Sequence, residues 1–219
     1  MKNMKKTLYV WDIDHTLFKT NANVIIRKDN KIVQKLDPVS YNSYKKKEDE
    51  TVDYSEFRSA EIFRKNARPI QNILNKAKRF AMSDDNKSET ILLTARSDMD
   101  NKNLFLQTFR DHGFPIDRVY VERAGNLIRY KSSASVASTK GVILRQYIKT
   151  GDYNKIVMYD DDSRNLDMLI KLASLHPEIT IICFLVHDDN IELYYKKVSE
   201  KKKIHTIKEA LYDLEYQNI

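Results

Sequence analysis

Short apolar runs that stop abruptly at polar or acidic residues recur along this chain, and they alternate with segments of helical period. The runs fall at residues 7–13, 90–93, 118–121, 156–159 and 179–186. Apolar residues at helical spacing occupy 55–80, 103–111, 140–148, 165–175 and 207–214. A strand that is apolar at consecutive rather than alternate positions is buried on both faces, and strands alternating with helices build parallel sheets covered on both sides. The expected fold is therefore α/β: a parallel sheet of about five strands with helices on both faces. A chain of 219 residues has room for one such core, or one core with a small insertion, but not for two full α/β domains. We read residues 1–219 as a single domain, with a small flap or cap inserted at 17–55.

Within that insertion, the apolar triplets 24–26 and 31–33 flank Lys28–Asp29–Asn30, a hairpin with an Asx turn. Residues 41–53 are polar, with Lys45–Lys46–Lys47 followed by Glu48–Asp49–Glu50, and read as a loop or a marginal helix. Pro69 interrupts the helical period of 55–80 and predicts a second helix beginning at its first turn.

Several function classes are excluded by what is scarce. The single cysteine, Cys183, permits neither an intrachain disulfide framework nor a cysteine-based zinc cluster. Four scattered glycines (Gly113, Gly125, Gly141, Gly151) make no phosphate-cradling loop and no dinucleotide fingerprint. The longest apolar run, 179–186, is strand-length and far short of a membrane span. The stretch at 8–11 ends at Asp12 and cannot be a signal-peptide core. A soluble, cytoplasmic protein is expected. The net charge of +7 is concentrated: residues 1–80 carry 18 Lys/Arg against 10 Asp/Glu, net +8, and the remainder carry net −1. This asymmetry implies either a surface that meets anions or a basic face kept for solubility.

In open α/β sheets, ligands bind outside the carboxyl ends of the strands. After the first run stands Asp12–Ile13–Asp14–His15–Thr16–Leu17, after the second Thr94 and Arg96, and after the fourth Asp160–Asp161–Asp162, with Lys140 on the helix before it. Alone, an acidic strand end caps a turn, and an aspartate run caps a helix. Together, at successive strand ends, they gather carboxylates that repel one another unless a cation neutralises them. A hard divalent ion, Mg²⁺ above all, takes oxygen ligands from a couple of carboxylates alongside a substrate phosphate. The lysine and the hydroxyl suit a phosphoryl group.

The set Asp12–Ile13–Asp14–His15–Thr16–Leu17, Leu92–Leu93–Thr94–Ala95–Arg96, Thr139–Lys140–Gly141 and Tyr159–Asp160–Asp161 resembles the four motifs of the haloacid dehalogenase (HAD) superfamily, in order, across residues 5–190. The resemblance implies a Rossmann-like sheet and an Mg²⁺-dependent phosphomonoesterase. By it, Asp12 is the nucleophile that forms an aspartyl-phosphate, and Asp14 is the acid and base. Asp12, the backbone carbonyl of Asp14 and an acid of the Asp160/Asp161 pair hold the metal, with Asp161 favoured for direct ligation. Thr94 and Lys140 bind the phosphoryl oxygens. Asp12 and Asp14, two residues apart, would share one strand face. His15 stands where the family often has glycine, close to where backbone approaches the phosphate, so its side chain either reshapes the flap or adds a contact. Asp162, Arg164 and Asp167 read as residues that cap and solvate the following helix, and Cys183 as a buried small hydrophobe.

A small cap leaves the site open to large substrates. Tyr41, Tyr44 and Tyr54 lie among lysines, a pattern suited to stacking bases and tracking a phosphate backbone. Arg96 and the pair Asp160–Asp161 are similar to the second-motif arginine and the paired acids of phage polynucleotide 3′-phosphatase domains, which makes Arg96 a further phosphate ligand. Nucleic-acid ends bearing a 3′-phosphate, or nucleotides, are the expected substrate class, met through the basic first 80 residues. Two alternatives stay open: a phosphatase of small metabolites, and a low-turnover nucleic-acid- or protein-binding module on the same fold.

Overall fold

The structure, a computed structural model, describes residues 5–126 and 135–198. In chain order its elements are β1 (Lys6–Trp11), β2 (Phe18–Lys19), β3 (Val24–Lys28), β4 (Lys31–Leu36), α1 (Pro38–Ser43), β5 (Glu50–Asp53), α2 (Ser55–Arg58), α3 (Ala60–Asn66), β6 (Arg68–Pro69), α4 (Gln71–Ala81) and β7 (Ser88–Thr94). They continue with α5 (Lys102–Asp111), β8 (Tyr120–Arg123), α6 (Val136–Thr150), β9 (Tyr153–Asp160), α7 (Ser163–Leu175), β10 (Thr180–His187) and β11 (Asn190–Lys197). The fold is α/β. Its central sheet runs β11-β10-β9-β1-β7-β8, parallel throughout except for β11, which pairs antiparallel with β10.

The five expected runs are the five parallel strands. Alternate residues of each feed two cores. Trp11, Leu92, Val157, Tyr159, Ile182 and Phe184 face α3, α4 and α5 through Phe63, Ile73, Leu74, Phe105 and Phe109. Leu8, Val10, Ile91, Leu93, Ile156, Met158, Ile181 and Cys183 face α6 and α7 through Ile143, Leu144, Leu166 and Leu169. On the first face, Trp11 stacks on Tyr159 at 3.8 Å and Tyr159 on Phe184 at 4.8 Å, tying three neighbouring strands together. On the other face Cys183 is buried among apolar neighbours, and burial pushes its thiol up to about 12. No described helix is long and apolar enough to cross a membrane.

The sixth strand, β11, is absent from the sequence reading for a physical reason. As an edge strand it is exposed at Leu193 and Tyr194 and shows no alternation of apolar residues. It follows a tight turn in which Asp188 takes a left-handed conformation, φ 51°. The segment 207–214, expected as a helix, lies outside the described residues.

The insertion forms its own three-stranded antiparallel sheet, β4-β3-β5. The hairpin turn falls where expected, and both Asp29 (φ 49°) and Asn30 (φ 61°) are left-handed, the geometry that matches strand twist in a two-residue turn. Residues 41–49 end the short helix α1 and run on as loop, as expected. Residues 50–53 depart from that reading and form β5, whose Glu50 is buried and accepts from the Tyr44 hydroxyl at 2.7 Å and the Lys47 amide at 2.9 Å. Tyr41 and Tyr44 are partly buried against the small core of Val24, Ile26 and Leu36, so one side of each ring is already taken by the protein. Pro69 also differs from its expected role. With Arg68 it forms β6, which pairs with Phe18–Lys19, and α4 starts two residues later at Gln71.

Candidate active site

Register brings the acids together. β1 and β9 are paired with Trp11 opposite Tyr159, and the Asp12 amide extends the ladder to the Tyr159 carbonyl at 3.0 Å. Asp12 and Asp160, the next residues, therefore stand level. Because Trp11 and Tyr159 face α3–α5, Asp12 and Asp160 point to the opposite side, where α6 lies. Lys140 comes down from α6 between them: its Nζ is 2.7 Å from Asp12 Oδ1 and 2.8 Å from Asp160 Oδ2, with all three residues buried. Two features of α6 allow this reach. Ser135 caps the helix by accepting from the Ser138 amide, and Gly141 lets it close on α7, since a Cβ there would come within 2.4 Å of Met168 Sδ.

Carboxylate oxygens of Asp12, Asp160 and Asp161 lie within 4.8 Å of one another. Burial drives Asp12 well above the ordinary carboxylate range; Lys140 opposes this, while Asp160, Asp161 and Asp14 add to it. Burial, reinforced by Asp160, raises Asp161 to about 7. Burial works against the Lys140 ammonium as well, but Asp12 and Asp160 outweigh it and hold its pKa above normal. One ammonium thus serves three carboxylates, and the cluster is short of positive charge. A hard divalent cation fits this donor set, which is all oxygen and too acidic for its own lysine. The two acids of the pair are not equivalent. Asp160 is consumed: Oδ2 accepts from Lys140, and Oδ1 accepts from Asn165 Nδ2 at 2.8 Å and the Asp162 amide at 3.0 Å. Asp161 is half-buried and accepts from the Thr16 hydroxyl at 3.5 Å. Of the pair, Asp161 is the less engaged by the protein.

Asp14 does not join the group. β1 ends at Trp11, so the alternation that would align Asp14 with Asp12 no longer applies. Instead Asp14 turns toward Arg96, which grips it through Nε at 2.9 Å and a terminal nitrogen at 2.7 Å, while Thr20 donates at 2.6 Å. Burial would raise its pKa, but Arg96 and Thr20 prevail and hold Asp14 below the usual carboxylate value. The other end of Arg96 donates to the Phe57 carbonyl at 2.9 Å, and its guanidinium lies over Phe63 at 4.9 Å. Arg96, expected as a phosphate ligand, is buried and fully engaged within the protein. Thr94 ends β7 inside the protein, accepting the Arg96 amide at 3.1 Å.

His15 is exposed and left-handed, φ 57°, with its amide bonded to the Phe18 carbonyl at 2.7 Å. A glycine would take this turn without strain. Asp162 caps α7 by accepting the Arg164 amide at 2.9 Å, and Asp167 accepts from the Tyr194 hydroxyl, both as expected of helix-capping and solvating residues.

Three contributors escape a reading of the sequence. Asn165 carries no motif, although an amide one turn past an aspartate run at a helix start is the signal it offers. Thr20 hides in the polar insertion. Gly125 has the clearest role: a Cβ there would meet the Ala95 carbonyl oxygen at 2.4 Å and the Ser97 nitrogen at 2.5 Å, so only glycine lets residues 124–125 lie against the loop bearing Arg96.

Comparison with protein-family models, with curated proteins and with solved structures finds no match for this chain.

Proposed function

We propose that this chain is a magnesium-dependent phosphomonoesterase of the HAD type its motifs resemble, acting on nucleic-acid ends that bear a 3′-phosphate or on nucleotides. One observation carries the reading. Asp12, Asp160 and Asp161 cluster at the carboxyl ends of β1 and β9 with the buried Lys140 between Asp12 and Asp160, and Thr94 ends the neighbouring β7. A divalent cation held by Asp12 and Asp161, with Asp160 beside them, would offset charge on the acids and on a phosphate. Asp12 attacks phosphorus, the ester P–O bond breaks, and the leaving oxygen takes the Asp14 carboxyl proton. Water then cleaves the aspartyl-phosphate, yielding inorganic phosphate and the free Asp12 carboxylate, and its proton passes to Asp14. Lys140 and Thr94 face the developing charge. Asp14, ionised against Arg96, is set to accept a proton; donating one requires Arg96 to loosen its hold. The nucleic-acid substrate rests on the basic excess of residues 1–80 and on the resemblance of Arg96 and Asp160–Asp161 to the phage phosphatase motifs.

A second reading has one observation in its favour. The Arg96 clamp leaves Asp14 without a proton to give, as suits a binding module with little turnover. Phosphate release from a 3′-phosphorylated oligonucleotide and from p-nitrophenyl phosphate separates the two readings, with Mg²⁺ or EDTA, for wild type and Asp12→Asn. Mg²⁺-dependent release by wild type alone supports the enzyme, and the better substrate sets the class. Binding of the oligonucleotide without release from either substrate supports the module.

A further inference from the structure

Two arginines flank the aromatic pair Phe63–Phe105, whose rings are 4.9 Å apart. Arg96 lies over Phe63 at 4.9 Å and Arg123 over Phe105 at 5.7 Å. They differ in what they have left to give. Arg96 spends Nε and both terminal nitrogens on Asp14 and the Phe57 carbonyl. Arg123 makes one long ion pair, 3.5 Å to Asp98, whose carboxylate is 72% exposed and free to swing into water. Its Nε is buried without a hydrogen-bond partner among the described residues. An Arg–carboxylate contact of full strength is shorter, about 2.7–2.9 Å and two-pronged. Buried polar groups are nearly always satisfied, so the unsatisfied Nε of Arg123 calls for an explanation.

Its position supplies one. Arg123 ends β8 opposite Thr94 in the parallel register, at the carboxyl edge of the sheet. The Ala124 amide reaches the Thr94 carbonyl at 2.8 Å, and the Gly125 amide reaches the Arg96 carbonyl at 3.2 Å. The strand end is thereby stitched to the loop that frames the site, and the Gly125 contact keeps it there. The Arg123 side chain is 14% exposed, its guanidinium held against a ring and short of acceptors. A planar cation fixed by stacking recognises phosphate bidentately with little entropy left to lose.

We infer that Arg123 binds a second anionic group of the substrate, a phosphate neighbouring the one removed, so that the site selects doubly phosphorylated over singly phosphorylated esters. The inference rests on the phosphatase reading only for what lies beside that second anion; the anion subsite itself is tested by binding. Calorimetric titration with thymidine 3′-monophosphate and thymidine 3′,5′-bisphosphate, in Mg²⁺, measures the preference for the second phosphate. Initial rates on the same pair are read in parallel. Wild type is expected to bind the bisphosphate about tenfold more tightly. Arg123→Gln brings that ratio to about one, and Arg123→Lys, which keeps charge but loses the fork and the stacking, falls between. A wild-type ratio of one, no binding of either nucleotide, or a ratio that survives in Arg123→Gln overturns the inference. Turnover of both nucleotides without preference leaves the phosphatase standing and removes the subsite. A binding preference without turnover does the reverse.

Discussion

The carboxyl end of the central sheet and the small β4-β3-β5 sheet are both rich in charge, and they use it in opposite ways. Around the small sheet the ion pairs are one to one: Lys28 with Asp49 and Arg27 with Asp53 toward water, and Lys35 with the buried Glu56. The solvated ones contribute little. At the sheet end Lys140 is shared by Asp12 and Asp160, all three buried, with Asp161 close by. The same residue types therefore amount to a surface in one place and to stored electrostatic work in the other. What differs is burial, which multiplies each charge's effect on its neighbours.

If that contrast is right, the largest effect comes from the nucleophile. Asp12→Asn should lower Mg²⁺-dependent phosphate release by at least about a thousandfold while the far-UV circular dichroism stays unchanged. Next comes the shared cation. Lys140→Met leaves two buried carboxylates without their counter-ion and should cost about 3–5 kcal/mol of unfolding free energy in a urea titration. Arg96→Gln strips Asp14 of its buried partner and should cost about 2–3 kcal/mol in the same assay; a loss near zero would mean that Asp14 finds water instead.

The pH dependence has a definite sign. Asp161 titrates at about 7 in the folded chain and near 4 when unfolded. Between those values the folded state holds the extra proton, so its stabilising contribution is full at low pH and is lost as pH rises toward 7 and beyond. Asp12 acts in the same direction. Asp14 acts in the opposite one, stabilising above about pH 4 and losing that contribution in stronger acid. Thermal midpoints in EDTA should accordingly fall between pH 5 and 8, and Mg²⁺ should remove most of the fall. A midpoint that rises over that interval in EDTA would break the picture of an under-neutralised cluster. The smallest effect belongs to the small sheet: Lys28→Ala should leave the thermal midpoint in place, and a clear drop would show that its ion pairs are not the solvated kind.

Much of this was legible in the residues. Four of the five parallel strands announce themselves through near-continuous apolar runs buried on both faces, while β8, at the sheet edge, is exposed at Tyr120 and ends in Glu122 and Arg123. Residues 190–197 and 50–53 do not announce themselves, because an exposed edge and a short polar strand leave no period to read. At the site, Asp12, Lys140, Asp160 and Asp161 meet as their places after successive strands imply. Asp14 and Arg96 do not behave as their spacing implies, because β1 stops at Trp11 and the chain then turns through left-handed His15. Two-residue periodicity holds only while the strand lasts.

The sequence by itself determined the layer order of the molecule and the end of the sheet where its acids gather, since both follow from hydrophobic runs and from what terminates them. Tertiary structure alone decided which cation each acid receives. Lys140 lies 128 residues from Asp12 and Arg96 lies 82 from Asp14, separations that carry no local signal. Those pairings arise from strand register, from the closeness of α6 to α7 at Gly141 and from the contact that Gly125 permits, all of which are settled by packing.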